Sequence, residues 1–177
     1  MRGIGVDVGG TKTKIAVVDR DRKILYSQSI LTPLSNGYEG FIFKISKILL
    51  KLIKNYRASK VSFAVAGDID SDKGVLRFAP NLCGWKDKNI KSDIEKRCGI
   101  EVRVENDANM AIWGAYVFEL GKRYRNVVGF TLGTGVGGGV IIDGKLYKGS
   151  TTTAGEFGHI VIKYGGLRCA CGNRGCL

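Results

Sequence analysis

The first thirty residues alternate between apolar and polar positions. Apolar and β-branched side chains recur at every second place over about residues 2–8, 13–19 and 23–30, and the stretches GGTK and Asp19–Arg22 separate these runs. A period of two, bounded by glycine or aspartate turns, is typical of β-strands. The pattern therefore predicts an antiparallel meander of three strands.

The period then lengthens to that of an α-helix, from about Tyr38 to Tyr56. One side of this stretch carries apolar residues, namely Phe41, Ile42, Ile45, Ile48, Leu49, Leu52 and Ile53. The other side carries lysines, namely Lys44, Lys47, Lys51 and Lys54. This distribution is typical of a helix that packs one face on a core and leaves its lysines in solvent.

Helix and strand patterns alternate along the rest of the chain. We expect a strand at 61–67, a hairpin at 68–74, a helix near 89–98, a strand at 100–106, a helix from about Asp107 to Leu120, and two strands around a glycine loop followed by an Asp143-Gly144 turn. Such alternation predicts an α/β protein. The one plausible lobe boundary lies near 117–126, a range that includes the basic turn GKRYRN, so we expect two lobes, 1–117 and 118–177.

Composition narrows the range of partners. Lysine and arginine outnumber acidic residues 28 to 16, for a formal charge of +12, and a basic protein invites nucleic acid as a partner. The cations are spread along the chain, however, which argues against nucleic acid. No apolar run reaches the roughly 18 residues that cross a bilayer, and the N-terminus has no leader pattern. We expect a cytoplasmic protein without membrane contact.

Two glycine loops raise the question of phosphate binding. In the first, GVDVGGTKTK, Thr11 separates Gly10 from Lys12, so the spacing of the common P-loop is not met. In the second, Gly133, Gly135 and Gly138 match GxGxxG, but a strand pattern follows where a dinucleotide fold requires a helix.

Each loop alone is equally well explained as a tight hairpin. Together, each beside a threonine (Thr11 and Thr134), they favour concave groups of backbone amides that bind an anion.

Two carboxylates stand where a ligand could meet them. Asp107 falls between a predicted strand and a predicted helix; in isolation, a helix cap is the favoured interpretation of that position. Asp7 ends the first strand just before the glycines. Mg²⁺ with bound phosphates needs one or two oxygens of this kind and otherwise keeps its water ligands.

The C-terminal cysteines have the spacing of a metal site. Cys169, Cys171 and Cys176 follow C-x-C-x4-C, and His159, the one histidine, lies ten residues upstream. Three thiolates and one imidazole form the closed set of a structural zinc site. Reduced loop cysteines with a hydrogen-bonded histidine are the alternative, and disulfides are the weaker account in a cytosolic chain. Two further cysteines, Cys83 and Cys98, are expected to be buried thiols.

Six motifs, taken in order, resemble one family. They are DVGGTKT (7–13), PNLCGW (80–85), ENDAN (105–109), GTGVGGG (133–139), EFGH (156–159) and CACGNRGC (169–176). The chain resembles the ROK family of sugar kinases and sugar-responsive repressors, and within it the glucokinases. The resemblance implies the actin, Hsp70 and hexokinase type of ATPase fold, with ribonuclease H-like lobes. In that fold two facing glycine hairpins hold ATP, and no Walker lysine is required.

The resemblance also implies roles for particular residues. Asp107 would be the general base that takes a proton from the sugar hydroxyl as it attacks the γ-phosphate of ATP, and Asp7 would bind Mg²⁺. The phosphate hairpins would be Gly9, Gly10, Thr11 and Lys12, and Gly133, Thr134 and Gly135. The sugar hydroxyls would meet Gly67, Asn81, Asn106, Asp107, Glu156 and His159. His159 would present one ring nitrogen to zinc and the other toward the sugar.

Two departures from the family pattern bear on function. Ala66-Gly67 stands where the family usually has Pro-Gly. Family members also continue well beyond the zinc loop, so the resemblance implies an incomplete second lobe. We therefore expect weak or no turnover from this chain alone, which could be a fragment or one half of a split protein. Its possible protein partners are a missing C-terminal half or a second copy in a homo-oligomer.

Three functions follow as hypotheses. The first is ATP-dependent phosphorylation of a hexose, with glucose favoured. The second is a sugar-responsive regulator, against which the early start of the phosphate motif argues. The third is a non-catalytic sugar- or nucleotide-binding fragment.

Overall fold

The computed structural model of the chain describes residues 2–133 and 135–177. The described residues form strands β1 (Arg2–Val8), β2 (Lys12–Val18) and β3 (Ile24–Leu31), helix α1 (Gly37–Tyr56), strands β4 (Ala58–Val65), β5 (Asp68–Asp70), β6 (Val75–Phe78) and β7 (Lys88–Asn89), helix α2 (Ile90–Cys98), strand β8 (Glu101–Asn106), helix α3 (Asp107–Phe118), and strands β9 (Val127–Leu132), β10 (Val136–Ile142) and β11 (Lys145–Tyr147). The predicted α/β class is confirmed.

The predicted meander of β1, β2 and β3 is confirmed. These strands are antiparallel and form one side of a five-stranded sheet with the order β3-β2-β1-β4-β8, in which β4 and β8 run parallel to β1. Asp19 shapes the turn between β2 and β3, because its carboxylate accepts hydrogen bonds from the amides of Asp21 and Lys23 at 2.9 Å each.

The amphipathic pattern of α1 matches its packing. Phe41, Ile45 and Leu49 are fully buried, whereas the four predicted lysines are exposed. The buried face meets alternate residues of the sheet, among them Ile4 and Val6 of β1, in one continuous apolar core. Each large side chain buried in this way contributes about 1.5–3 kcal/mol.

A small second sheet lies beside the first. The predicted hairpin at 68–74 is confirmed, with β5 and β6 antiparallel, and β7 adds a third strand of two residues that the sequence pattern did not reveal. Arg77 of β6 reaches Asp68 at 3.0 Å and Asp70 at 3.3 Å.

Two sequence-based expectations need correction. The strand predicted at 61–67 begins earlier, at Ala58, and ends at Val65, so Gly67 lies outside it. Cys83 is exposed, and Cys98 is only partly buried. Cys83 is displaced outward because its neighbours Leu82 and Trp85 take the buried positions of that turn.

The glycine-rich second half forms a three-stranded antiparallel sheet with the order β11-β10-β9. Asp143 and Gly144 join β10 to β11, and both have positive φ, at 50° and 73°. Two consecutive positive φ angles in a two-residue loop define the type I′ hairpin, which confirms the predicted turn.

The chain divides into two compact units, Met1–Asp107 and Ala108–Leu177. The lobes predicted at 1–117 and 118–177 remain a prediction. Among the described residues, the helices are too short or too polar to traverse a bilayer.

Candidate functional site

The first glycine turn connects β1 to β2 through Gly9, Gly10 and Thr11. The amide of Gly9 donates to the carbonyl of Lys12 at 3.0 Å and closes the turn. Lys12 begins β2 and is exposed. Hydrogen bonds among the described residues do not engage the amides of Gly10 and Thr11. The turn therefore offers two adjacent donors to an anion.

Gly10 lies directly against the segment that carries Asn81. A Cβ atom at Gly10 would stand 2.9 Å from both the Cβ and the carbonyl oxygen of Asn81. Asn81 is exposed, but its segment is anchored by the buried Leu82 and by Trp85, whose ring packs 4.6 Å from that of Phe41. The core thus sets the position of Asn81 beside the turn.

Asp7 stands one residue before the end of β1, with its side chain 53% exposed and 4.0 Å from the ammonium of Lys14. Partial burial raises the pKa of Asp7, the charge of Lys14 lowers it, and the negative charge of Asp107 raises it further. The two carboxylates are therefore near enough for the charge of Asp107 to disfavour ionisation of Asp7.

Asp107 is the first residue of α3 and follows β8 without a loop. The residue before it, Asn106, donates from Nδ2 to the carbonyl oxygen of Gly67 at 3.1 Å. Gly67 has a φ of 145°, and a Cβ there would stand 2.6 Å from the carbonyl oxygen of Phe78. Only glycine fits this position, so the Asn106–Gly67 contact is defined by backbone geometry.

The second glycine turn connects β9 to β10. The amide of Gly133 donates to the carbonyl of Gly135 at 3.0 Å. A Cβ at either glycine would meet open space, as expected of a turn that a ligand approaches. Thr134, predicted to bind phosphate, lies outside the described residues.

The glycines that follow have a different role. A Cβ at Gly138 would stand 2.4 Å from Phe157, and one at Gly139 would stand 3.0 Å from Ile112 of α3. Gly137 and Gly138 lie in β10, which explains why the GxGxxG match is not a dinucleotide site. These residues are glycine because neighbouring segments pack closely on the strand.

His159 and the three C-terminal cysteines come together. One nitrogen of His159 and the sulfur atoms of Cys169, Cys171 and Cys176 all lie within 4.8 Å of one another. The His159 Nδ1 to Cys169 Sγ distance is 3.7 Å, and the Cys171 to Cys176 Sγ distance is 3.8 Å. A zinc tetrahedron with Zn–S bonds of about 2.3 Å has edges of about 3.8 Å. The donor set and its spacing thus fit zinc.

The cysteines differ in acidity. Hydrogen bonds from the backbone and side chain of Cys171 lower the pKa of Cys169 to about 7. Burial and the neighbouring thiols raise the pKa of Cys176 to about 11. A divalent cation at the centre of the cluster would favour the thiolate form of all three cysteines.

His159 also joins the cluster to a candidate sugar-binding residue. While Nδ1 faces Cys169, Nε2 lies 4.0 Å from Oε2 of Glu156. Both residues belong to a short turn, in which the amide of His159 donates to the carbonyl of Glu156 at 3.1 Å. The two ring nitrogens therefore face different partners, while the predicted orientation of one toward zinc and the other toward the sugar stays a prediction.

Two buried threonines lie beneath the first glycine turn: Thr13 ends the DVGGTKT motif, whereas Thr32 belongs to none of the six motifs. Thr13 is fully buried and Thr32 is 8% exposed. Their hydroxyl groups lie 3.0 Å apart, and that of Thr32 donates to the carbonyl oxygen of Gly9. Thr32 lies 23 positions beyond Gly9 in the sequence, so no local pattern could have shown the contact.

The chain matches known proteins over most of its length. A model of the ROK family matches residues 3–177. The glucokinase of Streptomyces coelicolor is 42% identical over 173 residues, covering 98% of this chain and 54% of that protein. The N-acetyl-D-glucosamine kinase of Pasteurella multocida is 35% identical over 185 residues, covering 98% and 60%.

A solved structure is similarly close. The ROK family glucokinase from Streptomyces griseus, in complex with glucose and AMPPNP, superposes with a TM-score of 0.87 at 40% identity, over 99% of this chain and 55% of that one. This chain therefore spans about half the length of the relatives it matches.

Proposed function

The chain belongs to the ROK family, and from that premise we propose that it carries sugar- and nucleotide-binding parts of an ATP-dependent hexose kinase. Its fold is of the predicted actin, Hsp70 and hexokinase type, of which the chain covers part. The observation that carries the proposal is the structural match, over 99% of this chain with a TM-score of 0.87, to a ROK family glucokinase that was solved with glucose and AMPPNP.

The two carboxylates are assigned different tasks. Asp107 is the general base: it accepts the proton of the sugar hydroxyl as that oxygen attacks the terminal phosphorus of ATP, whose bond to the bridging oxygen breaks so that ADP leaves. Asp7 binds Mg²⁺, directly or through water, because it is half-exposed and its ion pair with Lys14 is long, at 4.0 Å. The magnesium ion, when bound, neutralises charge on the phosphates.

The phosphates are assigned to the amides of Gly10 and Thr11 in the first turn. We assign the same ligand to the second turn because a Cβ at Gly133 or Gly135 would meet open space. The sugar hydroxyls are assigned to the residues that the family resemblance implied for them: Asn81, Asn106 and Gly67, and also Glu156 and His159.

Glucose is the proposed sugar. Identity is 42% to the glucokinase of Streptomyces coelicolor and 35% to the N-acetyl-D-glucosamine kinase of Pasteurella multocida. A panel of glucose, mannose, N-acetylglucosamine and N-acetylmannosamine, measured by calorimetry in the presence of AMPPNP, tests this choice. Glucose is expected to bind most tightly; preference for an N-acetyl sugar would overturn the assignment.

The catalytic role is tested by Asp107→Asn, with Asp21→Asn as the matched control because Asp21 lies in an exposed turn. Loss of a general base lowers the rate by about 10²–10⁴-fold. Because turnover by this chain is expected to be weak, sugar 6-phosphate formation is measured with protein in excess over sugar, together with calorimetric binding of glucose and AMPPNP. Activity that survives Asp107→Asn at the wild-type rate would refute the base assignment.

The cluster of His159, Cys169, Cys171 and Cys176 is proposed to bind a structural Zn²⁺. The four donors leave no position for substrate, which separates this site from a catalytic zinc. Elemental analysis of the purified protein should give one zinc per chain, and Cys176→Ser should lose it. Zinc retained by Cys176→Ser would contradict the ligand set.

A further inference from the structure

Thr32 makes two hydrogen bonds to the first glycine turn. It directly follows β3, and its amide donates to the carbonyl oxygen of Thr11 at 2.9 Å. Its hydroxyl group donates to the carbonyl oxygen of Gly9 at 2.8 Å. One residue from the far side of the meander thus holds both ends of the three-residue turn.

These bonds determine which way the turn presents its polar groups. The carbonyl oxygens of Gly9 and Thr11 both point back to Thr32, and that of Lys12 accepts from the amide of Gly9. Within the described residues, the amides of Gly10 and Thr11 remain without a hydrogen-bond partner. Carbonyl oxygens repel phosphate and amide groups attract it. This orientation therefore gives the outer face of the turn a positive electrostatic potential, which favours an anion.

Thr13 completes a directed chain of hydroxyl groups. A hydroxyl group has a single proton to donate, and Thr32 gives its proton to Gly9. Thr13 is therefore the donor in the 3.0 Å contact with Thr32. Hydrogen bonds linked in this way polarise and strengthen each other in a low-dielectric interior.

We propose that Thr32, supported by Thr13, is a positioning residue for nucleotide phosphates: it holds the turn in the conformation that exposes the Gly10 and Thr11 amides. The proposal rests on the proposed function, because it presumes that this turn binds phosphate. Neither threonine touches the ligand, so both act through the backbone of the turn.

The test compares variants that distinguish the effect of the Thr32 hydroxyl group on nucleotide binding from the effect of side-chain shape. Thr32→Val removes the hydroxyl group at nearly constant volume, and Thr32→Ser keeps it. The matched control is Ile15→Val, a change in the buried core of β2 that loosens packing without altering these hydrogen bonds. Binding of AMPPNP with Mg²⁺ is measured by calorimetry, with thermal unfolding of each variant recorded in parallel.

Loss of the buried hydroxyl bond should weaken AMPPNP binding about tenfold in Thr32→Val. Thr32→Ser should stay within about twofold of wild type, since it restores the bond. Ile15→Val should bind as wild type does although it unfolds at a lower temperature. Thr13→Val, in which Thr32 keeps its bond to Gly9, should lose about threefold and serves as the second variant if Thr32→Val fails to fold.

Three results would overturn the proposal: wild-type affinity in Thr32→Val, equal losses in Thr32→Ser and Thr32→Val, or an equal loss in Ile15→Val. Each leaves the proposed function standing, because wild-type protein still binds AMPPNP. Failure of wild-type protein to bind AMPPNP is a different outcome. It overturns the nucleotide-binding function and the positioning role together.

Discussion

The negative charge of Asp7 destabilises the folded protein, so its presence is not explained by a contribution to stability. Partial burial disfavours its charge, Lys14 offsets part of that effect, and Asp107 adds to it. A cation bound beside Asp7 would supply the positive charge that the folded protein lacks there. The position is therefore better suited to binding Mg²⁺ than to holding the fold together.

Replacing Asp7 by Asn should stabilise the ligand-free protein and weaken its binding of Mg²⁺ and nucleotide. The folded pKa of Asp7 lies above its ordinary value of 3.8, so its stabilising effect is present below pH 3.8 and lost as the pH rises through the folded pKa. At pH 7 the ionised group costs free energy, which Asn relieves. Solvent screening at this half-exposed site keeps the gain below about 1 kcal/mol.

Thermal unfolding of Asp7→Asn and wild type at pH 7 and near pH 3 measures this effect. The difference should be present at pH 7 and vanish in acid, with Asp21→Asn showing no comparable change. A variant less stable than wild type at pH 7 would mean that the ion pair with Lys14 outweighs burial.

Gly10→Ala should damage the first turn and the Asn81 segment together. The added Cβ would stand 2.9 Å from the Asn81 backbone oxygen, so one of the two segments must shift, at a cost of about 1–3 kcal/mol. Gly5→Ala is the control, because nothing lies within 4 Å of a Cβ there. Calorimetry should show weaker binding of both glucose and AMPPNP in Gly10→Ala but not in Gly5→Ala. Unchanged binding in Gly10→Ala would contradict the idea that the turn and the Asn81 segment depend on each other.

At this scale the sequence identified residues by motif but not the contacts that hold them. Asp7, Gly10 and Asp107 follow from resemblance and from their places between predicted elements. Thr32 could not be identified in this way. It reaches Gly9 only because the register of β2 with β3 brings the end of β3 beside the first glycine turn. Cys83 shows the converse error, since a cysteine in an apolar stretch can still face solvent.

At the scale of the elements, the glycines of β10 let two neighbouring segments pack closely against this strand. Phe157 packs where a Cβ of Gly138 would stand, and Ile112 of α3 packs where that of Gly139 would stand. The turn that carries Glu156 and His159 is thus positioned against the part of β10 in which three successive glycines lack side chains. A run of glycines would suggest a flexible segment, but in β10 it allows neighbouring segments to pack closely.

Gly138→Ala should loosen the Glu156–His159 turn and with it the metal cluster. The Cβ would stand 2.4 Å from Phe157 and 2.8 Å from the carbonyl oxygen of Gly155, an overlap that costs about 1–3 kcal/mol. Competition with a chromogenic chelator should show weaker zinc binding. Gly135→Ala, which meets open space, should bind zinc as wild type does, and equal effects of the two changes would contradict the packing role.

Periodicity predicted most elements because each buries one face against the core. The helix from Gly37 to Tyr56 and the three-strand meander follow this rule closely. The two-residue strand β7 is too short to carry a period, and β4 begins three residues before the predicted strand. Periodicity does not reveal the order of strands in a sheet, because the parallel pairing of β1, β4 and β8 depends on how the helices cross between strands.

At the scale of the whole molecule, the two units differ in what holds them together. The continuous apolar core runs from Ile4 to Val104, all within the first unit. In the described part of the second unit, the buried large apolar side chains are Ile112, Tyr116 and Ile141. That unit also exposes Phe130 and Leu132 of β9. Domains of roughly 70 residues with small cores usually need a metal or disulfide to fold.

A protein consisting of residues 1–107 should therefore fold by itself, whereas the second unit should depend on zinc. Removing zinc from the intact chain should unfold the second unit and leave a cooperative thermal transition like that of the 1–107 protein, because metal binding supplies folding free energy only where the ligands lie. Circular dichroism and amide hydrogen exchange, with and without chelator, measure both effects. Loss of protection in β1 and α1 on chelation would show that the two units fold as one.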